Sequence, residues 1–502
     1  IGSGPPRVPG VADVGVSAVS IAAACGWTLL RSLLVALCAV PLAWSVHRQL
    51  SASSSRERRL LWVLVLVSFF TPSLLTGYAY ASFSLSLIRH PGWNEVLYSA
   101  LVGLRYLAVG VLVVHFAPPP PVSASAVHVA RLAGRAAGSR IAQLRWLWPL
   151  LIRGPWRAVF PAAAVIFLLV FQEFEMASLM GVTSWTVWIF DAQAGGLNLE
   201  RSIQSTLLPG AVQFLVLMLL VRFALQSQFL PSAAHEHPSG RSGQRTSLVW
   251  LAAFAGFMAV FVAPWLMIGR DAVSGIVPVL QNRQMLREIV VAGAAGGAAG
   301  LSAAFLAGLL LRLVTQATGA GTRRVARLTA VAVAVPGLIG SLSISLMILW
   351  LFQQPVFRVA YDTLLPVFLA LIVFLIPRAL LVQLVFEAVT PRSSLHIADQ
   401  ISRSPHKEHR AAAAELRWQL QWRRHWLAAG LLGLWGYLEL TPYSILAPPG
   451  MMAAPVRLYA LMHYSRSNML SAMTMLTMLA PIAVFAAACG LRRPIQRLVA
   501  AR

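Results

Sequence analysis

The chain has 502 residues, of which 58% are hydrophobic and only 11% are charged, with a formal net charge of +24. A soluble protein of this size needs more charge to cover its surface, so that class is excluded. The positive charge is almost all arginine and lies between long apolar runs, which is typical of membrane topology and argues against a nucleic-acid partner. The composition therefore predicts an all-α, polytopic transmembrane protein embedded in a lipid bilayer.

About 11 apolar runs approach or exceed the roughly 20 residues that a helix needs to cross a bilayer. In chain order the spans are predicted at 17–46, 60–88, 96–117, 158–180, 205–227, 247–269, 288–316, 325–352, 361–388, 426–446 and 467–491. Arginine-rich loops alternate with loops that carry fewer positive residues. Because basic loops face the cytoplasm, the C-terminus is predicted to be cytoplasmic.

A short basic pattern occurs twice, in two arginine-rich loops. Ala142-Gln143-Leu144-Arg145-Trp146 recurs as Ala414-Glu415-Leu416-Arg417-Trp418, and each is preceded by a second match, His128-Val129-Ala130 and His396-Ile397-Ala398. Two more matches keep the same order, Pro72-Ser73-Leu74 with Pro336-Gly337-Leu338 and Glu173 with Glu439. A constant order of matches indicates two homologous halves.

We therefore divide the chain into a first half at 1–230, a cytoplasmic linker at 231–246 and a second half at 247–502. His235 and His237 lie in the linker, where a solvated segment is favoured over a metal site because no third ligand stands nearby. The second half has six predicted spans and the first has five. A further span is expected before residue 1, which would give 12 spans in two parallel copies of six.

No motif for covalent catalysis or nucleotide binding stands out. The single lysine, Lys407, has no glycine beside it, so the chain cannot form a P-loop. The chain is therefore predicted to be no enzyme and to bind no cofactor or resident metal of its own.

The two repeated loops are the strongest functional candidates. Each has about forty residues, which is long for a helix connection, and each is rich in helix-forming residues. In the first loop, breaks at Gly134 or Gly138 and at Pro149 predict a short helix, a turn and a helix that leads back to the membrane. A short helix outside the bilayer can dock into a groove on another protein.

The first loop resembles the cytoplasmic coupling loop of permease subunits of bacterial binding-protein-dependent ABC importers, which has a Glu-Ala-Ala, then Gly, then Leu-Pro pattern. The run His128 to Gly134 stands at the first part and Trp148-Pro149 at the last, without the initial acid. The second loop departs further, with Ser402 for the glycine and Gln421 for the proline. That copy is expected to couple more weakly.

The resemblance assigns ATPase coupling to residues of both loops: His128, Ala130, Gly134, Gly138, Arg140, Leu144, Arg145 and Pro149 in the first, and His396, Ala398, Ser402, Leu416 and Arg417 in the second. Two halves fused in one chain are similar to the ferric-iron type, although thiamine or another small solute stays open as the cargo. The resemblance implies that the chain lies in the bacterial inner membrane. It also implies two partners, a cytoplasmic ABC ATPase dimer that binds ATP and Mg and a periplasmic or lipid-anchored substrate-binding protein.

Three carboxylates, Glu173, Glu175 and Glu439, are predicted near the outer ends of spans. A carboxylate at membrane depth costs about 2.5–3.5 kcal/mol and usually has a partner or a function. They are candidates for the translocation pathway, although helix-end groups that face outer water or pair across the repeat interface are the favoured interpretation. Arg105 lies in the middle of a span, and we expect it to pair with one of these acids.

Two other classes of function stay open. A secondary transporter would work without an ATPase, and a membrane scaffold would not transport at all. The scaffold hypothesis does not explain why the matched motifs recur in the same order. Transport by the isolated chain under an ion gradient would favour the secondary transporter.

Overall fold

The computed structural model describes residues 20–87, 89–117, 122, 124–136, 140–226, 243–317, 319–389, 392–464, 468–481 and 483–484. All regular secondary structure within these ranges is helical, which confirms the predicted all-α class. The predicted linker lies outside them, apart from residues 243–246, which form the start of a helix.

The first half contains a long helix, a bent helix pair, a second long helix, a helical hairpin and a further set of helices. They are α1 (Ile21–Ala52), α2 (Ser55–Phe70), α3 (Ser73–Ser86), α4 (Pro91–His115), α5 (Ala124–Ala136), α6 (Arg140–Arg153), α7 (Val159–Phe171), α8 (Glu175–Leu179), α9 (Trp185–Ala194) and α10 (Leu199–Gln226).

The second half opens with an additional long helix and then repeats this order. Its helices are α11 (Gly243–Gly256), α12 (Ala263–Gln281), α13 (Arg283–Gln316), α14 (Ala320–Ala334), α15 (Ser341–Phe352), α16 (Leu365–Val389), α17 (Arg392–Ser402), α18 (Lys407–Arg417), α19 (Arg423–Leu438), α20 (Leu440–Leu446) and α21 (Ala454–Tyr464). π-helical turns at Phe257–Val262 and Trp418–Trp422 join α11 to α12 and α18 to α19.

Six described helical segments are long and apolar enough to span a membrane, and three bent helix pairs raise the number to nine. All nine overlap predicted spans. The predicted span at 426–446 is divided between α19 and α20, and that at 467–491 lies partly outside the described residues.

Two predicted spans are sharply bent at equivalent places in the two halves. The chain turns by 77° between α2 and α3 and by 97° between α14 and α15. Pro72 and Pro336 lie at these bends and cannot donate a backbone hydrogen bond there. Gly340 precedes α15 with a φ of +102°, a conformation that favours glycine.

The chain after the linker packs back onto the first half. The helix α11–α12 contacts α2, α3 and α4, and the carbonyls of Ala259 and Val260 accept hydrogen bonds from Tyr80 and Thr76. One hydrophobic core contains Leu74 and Tyr78 together with Ile344 and Tyr443. The two halves are therefore interlocked rather than merely adjacent.

The helical hairpins α5–α6 and α17–α18 follow α4 and α16 and lead into α7 and α19. We call this end of the bundle the hairpin side. The C-terminal ends of α1 and α4 meet there, since His47 Nδ1 lies 3.2 Å from His115 Nδ1. Trp62 on α2 packs against His115, so α2 also starts on the hairpin side.

Candidate functional site

A cavity of about 130 Å³ lies where the broken helices of the two halves meet. Both halves contribute a serine, an arginine and a glutamate to its wall. The residues that line it and carry charge or a hydroxyl group are Ser73, Arg105, Tyr106, Glu173, Glu175, Ser341, Arg378, Glu439 and Thr441. We call this cavity the chamber.

In the first half, Glu173 is held by several donors. One carboxylate oxygen accepts hydrogen bonds from Tyr106 Oη at 2.8 Å and Ser73 Oγ at 3.3 Å, and the other accepts from the backbone N–H of Met176 at 3.0 Å. Arg105 Nη1 lies 3.5 Å from Glu173 and also donates to Ser73. The expected pairing of Arg105 with one of the three acids is confirmed.

The second half places the equivalent groups more loosely. Glu439 lies beside the Ser341 hydroxyl and the Arg378 guanidinium. Arg378 donates to the carbonyl of Phe374 at 2.6 Å and stacks on the Phe374 ring, and none of the described carboxylates lies within 4 Å of it. Its guanidinium is therefore hydrogen-bonded within its own helix and forms no close ion pair with a described carboxylate.

Glu175 joins the two halves. One of its carboxylate oxygens accepts the backbone N–H of Leu440 at 3.2 Å, at the break between α19 and α20. Nearby, the Gln172 side chain donates to the carbonyl of Leu338 in the second half. The chamber thus has three carboxylates and two guanidiniums, which leaves one negative charge if all five are ionised.

Two of the charged groups can be placed along their helices relative to the hairpin side. Arg105 precedes the end of α4 by ten residues, which at 1.5 Å per residue is about 15 Å from the hairpin side. Glu173 follows the start of α7 by fourteen residues, or about 21 Å. A hydrocarbon core is about 30 Å thick, so both groups lie well within the length that a spanning helix covers.

An aromatic cluster that includes the lining residue Phe174 lies beyond the charged groups, on the side away from the hairpins. Tyr459 of the second half packs against Phe174 and Phe190 of the first, with ring centroids 5.9 and 5.8 Å apart. The Tyr459 hydroxyl also lies 2.6 Å from Ser178 Oγ. We call Phe174, Phe190 and Tyr459 the far layer.

A second aromatic cluster lies on the hairpin side of the charged groups. Trp435 of α19 packs against Phe69 and Phe70 of α2, with ring centroids 5.7 and 5.9 Å apart. Phe69 and Phe70 are the last residues of α2 before its bend, and Trp435 precedes Glu439 by one helical turn. We call Phe69, Phe70 and Trp435 the near layer; like the far layer, it joins one half to the other.

The first hairpin has a small hydrophobic centre. Val127, Leu147 and Leu151 are buried there, and Ala130 packs against them. Val129 and Leu132 are exposed, at 63% and 50% of their surface, as is His128. The helix α6 runs through Pro149, and the break before α7 comes at Gly154, so the expected break at Pro149 is wrong.

Several predicted coupling residues of this hairpin are only partly described. Gly134 lies within α5, Arg140, Leu144 and Arg145 lie within α6, and Gly138 lies outside the described residues. Pro149 is exposed.

The second hairpin is held together by buried alanines and an ion pair. Ala398 and Ala413 are buried, and Arg417 forms an ion pair with Asp399 and donates to Ser402 Oγ at 3.2 Å. Leu416 is half-buried, and His396 lies 3.0 Å from the Gln400 amide nitrogen. Ile397, the equivalent of Val129, is half exposed at 50%. Each hairpin therefore presents an apolar residue at the same position of the repeat.

Sequence reasoning missed several residues of the chamber. Arg378 of α16 lines the chamber together with Arg105 of α4, and no sequence match between the halves covers these two positions. Ser73 and Ser341 directly follow the two bends, but the aromatic layers carry no local signal because each joins distant parts of the chain. Within the described part of the chain, no three His, Cys, Asp or Glu side chains are grouped closely enough to hold a metal ion.

No protein-family model, curated protein or solved structure matches this chain. The chamber and the hairpins are therefore interpreted from their own chemistry.

Proposed function

We propose that the chain is the membrane-spanning permease subunit of an ATP-driven importer in the bacterial inner membrane. The hairpins would face the cytoplasm and bind a dimer of ABC ATPase subunits, which carries the ATP and Mg. A periplasmic or lipid-anchored binding protein would deliver the cargo at the opposite end. The chain itself would supply the pathway and break no bond.

The observation that carries this proposal is the chamber between two aromatic layers. Charged groups in the hydrocarbon region are costly and mark substrate pathways. Both layers are contacts between the halves, so a relative movement of the halves would open one or the other. The hairpins lie at one end only, where an external motor could drive that movement by alternating access.

The proposed cargo is a ferric ion, which carboxylate oxygens attract. The chamber is smaller than the 150 Å³ cavity that holds one benzene ring in an engineered protein, so the two rings of thiamine would need a larger space. A passing ion would contact the carboxylates in turn and would not be held by three of them at once, consistent with the ligand spacing of the described residues.

Uptake by the reconstituted complex tests this function. The chain would be purified from native membranes with its bound proteins, placed in liposomes, and supplied with labelled ferric ion and ATP. We expect uptake that requires ATP hydrolysis and is lost in Glu439→Gln. Glu200→Gln, at an exposed position at the start of α10, is the matched control and should transport normally. Uptake of thiamine without uptake of ferric ion would show that thiamine is the cargo, and the proposed mechanism would stay the same.

A secondary transporter is the second candidate, and one observation favours it. Five ionisable side chains face the chamber at membrane depth, which is typical of proteins that couple transport to protons or ions. Liposomes that contain the chain alone, under a proton or sodium gradient, distinguish the two. Accumulation of labelled ferric ion or thiamine without ATP would support the second candidate and exclude the first.

A further inference from the structure

The second hairpin is continuous with a helix of the chamber. From Lys407 to Leu438 the backbone stays helical through α18, the π-helical turn at Trp418–Trp422 and α19. The sequence has no glycine or proline between Lys407 and Ala429. A displacement of this hairpin is therefore transmitted along one uninterrupted element.

The first hairpin is joined to its chamber helix by a break. Gly154 and Pro155 separate α6 from α7, and the two helical segments meet at an angle of 66°. The chain at this junction holds only a short 3₁₀ turn, Pro155–Ala158. Movement of the first hairpin can be absorbed there before it reaches Glu173.

The helix α19 has a close support along its length. Gly296 and Gly300 of α13 lie directly against the backbone of Gly433, Gly436 and Tyr437. A Cβ atom built on Gly300 would lie 2.3 Å from the Gly433 nitrogen, so no side chain fits between the helices. At this point the two backbones are in direct contact with no side chain between them, so the glycines can act as a pivot for α19.

The far end of the same element carries chamber residues. Trp435 forms the near layer with Phe69 and Phe70, and Glu439 follows the last residue of α19. At the other end, the contacts of Arg417 with Asp399 and Ser402 bind α17 to α18. A force on the second hairpin therefore acts on α18 and reaches Trp435 along a single helix.

We propose that the second hairpin is the productive contact for the motor, and that it opens the near layer by moving Trp435 on the pivot formed by the α13 glycines. The inference rests on the proposed function, because it requires a partner that pulls on the hairpins. It assigns the main coupling role to the copy whose sequence departs further from the coupling-loop pattern, and it makes the first hairpin mainly an anchor.

A fluorescent reporter of the near layer tests whether the second hairpin moves Trp435. The reporter is a bimane dye on Phe70→Cys, in a chain whose Cys25, Cys38 and Cys489 are changed to serine, where Trp435 quenches it by contact. Native membranes that contain the chain and its partner receive ATP and vanadate. Two matched variants carry a Gly-Gly insertion, one after Leu420 in the π-helical turn and one after Gly154. Trp435→Phe provides the unquenched reference.

We expect the dye to brighten in the parent chain and in the Gly154 insertion, and the response to be lost in the Leu420 insertion while ATP hydrolysis persists. Three outcomes would overturn the proposed role of the second hairpin and leave the proposed function standing. They are equal brightening in the two insertion variants, no brightening in either, or no brightening only in the Gly154 insertion. If no ATPase is bound to the parent chain, both the role of the second hairpin and the proposed function are overturned. Bimane quenching before ATP is added shows that each variant has formed the near layer.

Discussion

The two halves bring the same residue types to the chamber but hold them in different ways. In the first half, Glu173 is fixed by Arg105, Tyr106, Ser73 and a backbone N–H. In the second half, Arg378 is bonded to its own helix, and Glu439 stands at the end of the helix that continues from the second hairpin. Under the proposed function, we expect the first half to act as the fixed frame and the second half as the movable part.

The largest difference is expected when the two arginines are removed. Arg105→Ala leaves the buried Glu173 carboxylate without its counter-charge, which costs about 3 kcal/mol in a buried pair. Arg378→Ala removes a guanidinium that is not ion-paired and should lower the thermal unfolding temperature much less. Unfolding followed in detergent measures both. Equal losses of stability would mean that the two halves hold their charges alike.

Rescue by a second change checks the cause of that loss. Arg105→Ala combined with Glu173→Gln removes both charges and should recover part of the stability that Arg105→Ala loses. A double variant as unstable as the sum of the two single variants would show that Arg105 acts by packing alone.

The glycine pivot is the next most sensitive place. Gly300→Leu forces a side chain into the backbone of α19 and should cost about 3 kcal/mol, the upper end for overpacking. Gly297→Leu, on the same helix with no atom near its Cβ position, is the control and should change stability little. Thermal unfolding again distinguishes them, and similar values for the two variants would argue against a close α13–α19 contact in the membrane.

The exposed apolar residues of the hairpins are expected to contribute to binding and not to folding. Ile397→Asp places a charge on a surface proposed to be covered by the ATPase and should weaken its binding about tenfold, or about 1.4 kcal/mol. Val129→Asp is the matched change in the first hairpin. The affinity of the purified ATPase for each variant is then measured. An unchanged affinity in both variants would show that the hairpins are not the docking surface.

The smallest effect is expected in the far layer. Tyr459→Phe removes the hydrogen bond with Ser178 and keeps the ring contacts, so it should cost about 1 kcal/mol. The double variant with Ser178→Ala should be no less stable than Tyr459→Phe alone. A larger combined loss would show that these hydroxyls bind other groups.

The sequence predicted the class and most spans, because apolar run length is a local property of the chain. Pro72 and Pro336 were recognised as equivalent, but the size of the two bends was not, because a proline in an apolar run can give a kink, a break or neither. The expectation that the second loop couples more weakly came from the loss of its glycine and proline. The first hairpin breaks at Gly154 and Pro155, and the absence of glycine and proline from Lys407 to Ala429 keeps the second one continuous, which matching of the coupling-loop pattern does not register.

The chamber itself could not be predicted from the sequence, for a different reason. Its layers join Phe69 to Trp435 and Phe174 to Tyr459, and such pairs depend on how two halves pack. The position of Glu173 depends on the break after α7, which ends that helix at Phe171. Apolar run length predicts where a helix enters the membrane but not where it stops within it.

Transport by vesicles with and without the motor tests the central claim most directly. The chain would be reconstituted alone and together with the ATPase that co-purifies with it, and the accumulation of labelled ferric ion would be compared. The account predicts uptake only when the ATPase and hydrolysable ATP are both present, with loss in Glu439→Gln. Accumulation by the chain alone under an ion gradient would contradict it.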